Sequence, residues 1–374
     1  MVIFIFFLVY TTSAFVSGGK LFQVVFNIDS SNELYTKAAV IISALIIIAY
    51  TFMGGFSAVA WTDFVQGLLM FFAIIALPIA LISGTENFSA EMIASTQKIV
   101  AEGSDASGFA SMFQGRSANS IISDLAWALG YFGMPHILVR FMAIKDAKSV
   151  KKSAIIAIIW VIISLGAAVL IGILGRVYLD SQGIILSSAD QELIFIRAVK
   201  MLFPGLIAGI FLSAVLASIM STADSQLLVT ASAVANDFFK VVVKKEVSDK
   251  TLMWISRGSV MVISVVACIL ALDPKDSIMG IVSNAWAGFG AAFGPAILLS
   301  LYWKRLTLKG TVAGIIAGAG TVLLWDNVLK LGGIMYSIVP GFVLSIIITV
   351  IVSLIDKEPS DDVRAIFEKA KTIE

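Results

Sequence analysis

Ten apolar stretches run along the chain, at residues 2–18, 37–55, 61–83, 119–143, 153–178, 200–235, 252–272, 278–303, 309–331 and 336–355. Most come close to the ~20 residues that a helix needs to cross the hydrocarbon core of a bilayer. They are apolar on every face instead of alternating, which predicts helices and speaks against the strands of an outer-membrane barrel. The pattern predicts an all-α, polytopic membrane bundle over residues 1–355 and a short charged tail over 356–374. Composition agrees: 59% of the 374 residues are hydrophobic, only 14% are charged and the mean hydropathy is +0.98, outside the range of a soluble domain. Met1 runs straight into the first apolar span without a basic leader or a small-residue cleavage site, so that span does not read as a secretory signal.

Charge placement orients the spans. With residue 1 on the cytoplasmic side, the inside loops hold Lys145, Lys148, Lys151 and Lys152, then Lys240, Lys244, Lys245 and Lys250, then Lys304, Arg305 and Lys309. Lys357, Arg364, Lys369 and Lys371 follow in the tail, whereas the long outside loop from Gly84 to Ala118 has only Lys98 and Arg116. The positive-inside rule then places both ends of the chain in the cytoplasm, in the cell membrane of a multi-pass protein. A net charge of +1, with no basic cluster interleaved with aromatics, gives no reason to expect nucleic acid. Cys268 and His136 are single, so an intrachain disulfide is impossible, and zinc cages and His-dependent acid–base chemistry lack their partners. The sequence does not read as an enzyme.

Four segments break the apolar monotony. Met220-Ser221-Thr222-Ala223-Asp224-Ser225-Gln226 lies in the middle of an apolar stretch, where hydroxyls and a carboxylate need partners, an ion or a substrate path. The plainer reading is that Ser and Thr bond back to their own helix. Around Gly54 and Gly55 a sharp turn is expected, followed by Thr62 and Asp63, where Asp63 is either a helix cap or a carboxylate on a cation's cytoplasmic route. In the stretch from Leu125 to Arg140, Gly130, Gly133 and Pro135 weaken the helix in mid-membrane, and irregular backbone is tolerated there only where it lines a cavity. Trp127 and Tyr131 would share a face, either packing or facing a substrate. The fourth segment, Asn284 to Pro295, is rich in small residues and predicts close helix packing or a thin hinge-like helix.

Together the stretches TFMGGFSAVAWTDFVQ, WALGYFGMPHILVRFMA, SAVLASIMSTADSQLLVTASAVANDF and NAWAGFGAAFGPAILL resemble the sodium/solute symporter family, in the family's order and over almost the whole chain. The resemblance implies a five-plus-five inverted repeat with solute and sodium near mid-membrane between broken helices. It implies that the Ser221 and Thr222 hydroxyls and the Ser218 carbonyl ligate sodium, and that Asp63 handles the ion on its path. It also implies that Trp127, Tyr131, Pro135 and Tyr10 line the solute pocket, with L-proline the first expectation for solute and no cofactor beyond Na⁺ as coupling ion. Asp224 has no acidic counterpart in that pattern and stays outside the core site. The likeness begins at the family's fourth span, so a truncated form of the fold is expected, incomplete in its first repeat, and transport is the expectation for the protein with its missing spans restored. Sodium symport of another solute (pantothenate, a sugar or a short carboxylate), the membrane portion of a sensor, and a passive channel are the alternatives.

Overall fold

A computed structural model describes residues 1–53, 56–101, 109, 111–184, 191–242 and 248–371; the expected turn at Gly54 and Gly55, and Lys244 and Lys245, expected on the cytoplasmic side, lie outside them. The described residues form helices and turns, with no strand among them. In order the helices are α1 (Val2–Val25), α2 (Glu33–Met53), α3 (Phe56–Gly84), α4 (Phe88–Ala101), α5 (Ala118–Leu125), α6 (Trp127–Gly130), α7 (Pro135–Met142) and α8 (Ala147–Ser181). They continue with α9 (Ile194–Leu202), α10 (Gly205–Ser232), α11 (Asp249–Ala271), α12 (Ile278–Tyr302), α13 (Leu308–Leu323), α14 (Ile338–Ile355) and α15 (Asp361–Lys371). Among the described residues nine helices are long and apolar enough to cross a membrane, one fewer than the ten stretches.

The difference is the stretch at 119–143, which folds as α5, α6 and α7 instead of one rod. Pro135 has no N–H to give, and it occupies the first helical position of α7, where none is needed. Its predecessor Met134 is extended (φ −78°, ψ 110°), as the residue before a proline tends to be. Proline also corrects the stretch at 200–235. α9 ends at Leu202, Phe203 is extended, and α10 starts after Pro204, running on through a π-helical segment, Ala233–Val242. Two further helices lie outside the ten stretches: α4 in the segment between Gly84 and Ala118, and α15 in the tail.

The chain divides into two compact units, residues 1–10, 116–151 and 279–374, and residues 11–115 and 152–278. In the second, α10 packs on α3, α11, α9 and α2, and Leu77, Leu81, Leu174, Tyr178 and Leu179 build a buried apolar cluster with Val199. α4 is tied to the end of α8 by Ser95, whose hydroxyl donates to the buried Asp180 carboxylate, and by Lys98, whose ammonium donates to the Asp180 carbonyl at 2.8 Å. Arg176, one turn before Asp180 on α8, adds an ion pair at 2.7 Å. At the end of α1, Lys200 donates to the Val24 carbonyl at 2.6 Å and to Asn27 Oδ1 at 2.7 Å, meeting carbonyls that a helix end leaves over.

In the first unit α13 lies along α14. Small residues let the backbones approach: a Cβ on Gly314 would stand 1.8 Å from Thr349 Oγ1 and 3.0 Å from the Ser345 carbonyl oxygen. The Ser345 hydroxyl then reaches the Gly314 carbonyl at 2.9 Å. At the other end Arg305 donates to the Asp356 carbonyl at 2.8 Å, and the Lys309 ammonium beside Asp356 holds its carboxyl below the usual carboxylate range. Gly314→Ala should therefore cost about 1–3 kcal/mol through overpacking. Gly320→Ala in the same helix, with nothing within 4 Å of the new Cβ, should be neutral or stabilising. Thermal unfolding of the detergent-solubilised protein checks the contrast, and equal midpoints for the two variants would contradict this packing.

Candidate functional site

The polar run falls in the middle of α10, whose apolar residues on either side keep it within the span. Ser218 and Ser221 are three apart and Thr222 is four from Ser218, so their oxygens lie on one helix face. The Ser221 hydroxyl donates to the Ser218 carbonyl at 3.1 Å and the Thr222 hydroxyl to the same oxygen at 3.0 Å. This is the back-bonding that helix geometry offers Ser and Thr. It spends the hydroxyl protons on the shared Ser218 carbonyl and leaves lone pairs on the two hydroxyl oxygens. All three residues are half-buried or better.

One turn further the burial deepens. Asp224 and Gln226 have no exposed surface and Ser225 is buried. α3 packs along α10 and brings Asp63 opposite: the Ser225 hydroxyl donates to Asp63 Oδ2 at 3.5 Å. The Tyr50 hydroxyl of α2 donates to Thr62 Oγ1, and both Asp224 and Asp63 act on that phenol electrostatically. Thr11 of α1 donates to Gln226 Oε1 at 3.4 Å. Asp63, Asp224, the Ser225 and Thr62 hydroxyls and the Tyr50 phenol thus belong to the second unit, as do Ser218, Ser221 and Thr222.

The first unit holds the aromatic residues. Trp127 stacks on Trp286 of α12 with ring centroids 5.0 Å apart and planes at 13°, and also stacks with Tyr336 at 6.2 Å. Tyr131 meets Trp286 edge-on at 4.8 Å. The Tyr10 ring lies 6.3 Å from His136, which also packs against Phe7 at 5.8 Å, and the Tyr131 phenol is within electrostatic reach of Tyr10. Pro135 contributes through the backbone, opening α7. Tyr10, Trp127, Tyr131 and Pro135, named from sequence, therefore belong to one unit and one aromatic neighbourhood.

Three side chains in that neighbourhood carried no signal in the sequence. Asp326 sits in a π-helical segment, Leu324–Val328, and accepts from the Ser337 hydroxyl at 2.7 Å and from Asn284 Nδ2 at 3.0 Å, tying α12 and the start of α14 to the end of α13. Tyr336, in the connection before α14, donates its hydroxyl to the Ser283 carbonyl at 2.7 Å and its backbone N–H to Ser123 Oγ of α5 at 3.0 Å. Burial, and then the Asp326 charge, push its phenol well above the ordinary value, so it remains a donor. Trp286 lay within a segment that sequence marks for close packing or a thin hinge-like helix, without singling it out. Each of these depends on a contact across many residues, which local pattern does not carry.

A family model described as the sodium:solute symporter family matches residues 1–318. The chain is 46% identical to the osmoregulated proline transporter of Bacillus subtilis (strain 168) over 365 residues, 96% of this chain and 70% of that protein. It is 41% identical to the sodium/proline symporter of Escherichia coli (strain K12) over 372 residues, 99% of this chain and 71% of that one. The fold is similar to that of a Na⁺-coupled sialic acid symporter, solved in a substrate-bound outward-open state, with a TM-score of 0.73 at 19% identity over 96% of this chain and 75% of that one.

Asp326→Ala removes the acceptor of the fully buried Ser337 hydroxyl and should lower stability by about 1–3 kcal/mol. Asp326→Asn keeps a carbonyl oxygen for it and should lose much less. Fluorescence-detected gel filtration after stepwise heating reads the difference, and an alanine variant as heat-resistant as the asparagine one would rule out this role for the carboxylate.

Proposed function

The chain belongs to the sodium:solute symporter family, and from that membership and the geometry of α10 we propose that it couples inward sodium movement to uptake of L-proline by alternating access. The observation that carries the reading is the group of three oxygens, Ser218 O, Ser221 Oγ and Thr222 Oγ1, gathered inside an apolar span. Sodium is a hard monovalent cation and prefers oxygen ligands, as the harder divalent cations do. Hydroxyl and carbonyl oxygens supply the coordination without fixing a net charge in the membrane. Asp63, beside Ser225, adds the negative charge on the ion's route.

Tyr10, Trp127, Tyr131 and Pro135 form the solute pocket around the break between α6 and α7. Aromatic faces and edges suit a small apolar ring, and the proline for which the relatives described above are named is such a ring. Ion and solute each stabilise particular states, and the coupling is the difference in their affinities for those states. No covalent step is involved. Residues 1–355 make up the membrane domain, and 356–374, with α15, make up a cytoplasmic tail of a protein in the cell membrane, both ends facing inward as the Lys and Arg distribution requires.

Labelled proline uptake into vesicles from cells expressing the gene tests the reading. An inward sodium gradient should raise uptake several-fold, and collapsing it should remove the gain. Uptake indifferent to sodium would instead favour a passive channel, and sodium-driven uptake of pantothenate, a sugar or a short carboxylate in place of proline would keep the coupling and change the cargo. Replacing Ser221 and Thr222 together by Ala should raise the sodium concentration for half-maximal uptake by about tenfold or more, a loss of roughly 1–3 kcal/mol in ion binding, with membrane insertion little changed. An unaltered sodium dependence in that double variant would remove these hydroxyls from the ion site. For orientation, green fluorescent protein fused at the C-terminus should fluoresce and alkaline phosphatase fused there should stay inactive; the reverse would overturn the cytoplasmic tail.

A further inference from the structure

We propose that Trp286 is a positioning residue for solute recognition, holding Trp127 and Tyr131 in place at the helix break through one hydrogen bond and two ring contacts. The inference rests on the transport reading above and adds to it a residue outside the pocket set drawn from sequence.

In a continuous helix the Tyr131 N–H would bond the Trp127 carbonyl four residues back. Here it turns to the Ala128 carbonyl at 3.3 Å, and Leu129 and Gly133 likewise reach three residues back, to Ala126 and Gly130. The tightened turn withdraws the Trp127 carbonyl's usual donor, in a span where water is not at hand and an unmet carbonyl is costly. Trp286 answers from α12: its indole N–H donates to the Trp127 carbonyl at 2.9 Å. An indole has a single donor and no acceptor, so this bond uses its whole polar capacity.

The same indole sets two side chains. Its face lies against the Trp127 ring at 5.0 Å and 13°, and the Tyr131 ring meets it at 4.8 Å and 84°, the stacked and edge-to-face arrangements that aromatic pairs favour. Trp286 is itself only 5% exposed, so the two pocket residues, not Trp286, remain to meet a solute. The approach is possible because residue 130 is glycine: a Cβ there would stand 1.8 Å from Trp286 Nε1. Gly130 thus performs a second task beyond weakening the helix, by leaving the space that the indole fills.

Two variants reach this contact independently. Trp286→Phe keeps a ring for stacking and loses the N–H, while Gly130→Ala keeps the indole and displaces it. Both should raise the proline KM about tenfold, the loss expected when a buried carbonyl goes unmet, while Vmax per inserted molecule and the sodium concentration for half-maximal uptake at saturating proline stay within about twofold. A merely structural role would lower the amount inserted, or Vmax, and leave KM where it was. Hydrogen exchange across residues 126–134 gives a readout that needs no transport: both variants should speed exchange there and leave α13 and α14 unchanged. Uptake with unchanged KM in both variants, or unchanged exchange at the break, overturns the role of Trp286 alone. Absence of sodium-driven proline uptake in the parent protein overturns the transport reading and this inference with it.

Discussion

Within a bilayer no water stands ready to complete a backbone hydrogen bond, so each N–H and C=O must find its partner inside the protein. That constraint explains why the described residues are mostly helical and why the span divided into α5, α6 and α7 is informative. A break such as the one from Gly130 to Pro135 can persist only where other groups take over the bonds it gives up. A neighbouring element does so: Trp286 of α12 meets the Trp127 carbonyl. The polar groups that look out of place along this sequence are therefore largely the groups that make an irregular membrane helix affordable.

The same constraint shapes α10. Serine and threonine hydroxyls within a span can satisfy their protons on a carbonyl one turn back, and Ser221 and Thr222 do so on Ser218. What distinguishes them from ordinary back-bonded residues is convergence, since two hydroxyls share one carbonyl and the next turn brings Ser225 against Asp63. A cation needs lone pairs and not protons, so a helix that has already absorbed the protons is suited to hold one.

Much of this architecture was legible in the sequence because membrane solvation writes itself as long apolar runs. The helices α1, α2, α3, α8 and α11 to α14 sit where those runs lie, and Gly130, Gly133 and Pro135 marked the subdivided span in advance. Pro204 carried an equally plain signal, and the apolar run on both sides of it obscured the boundary between α9 and α10. α4 was not legible, because a short helix with polar residues looks like a loop by composition; it is held by Ser95 and Lys98 at Asp180, 82 and more residues away. The roles of Trp286, Asp326 and Tyr336 share that difficulty, for they arise from contacts between elements. For Ser221 and Thr222 the residues could be named from the sequence, whereas the direction of their hydroxyls is set by rotamer and helix register.

The account as a whole requires that ion and solute feel one another through the protein. Linkage makes this quantitative: the factor by which sodium tightens proline binding must equal the factor by which proline tightens sodium binding. Equilibrium binding of each ligand to the purified protein, titrated at several fixed concentrations of the other, measures both factors directly. The account predicts two equal factors well above one. Proline binding that is indifferent to sodium would contradict it.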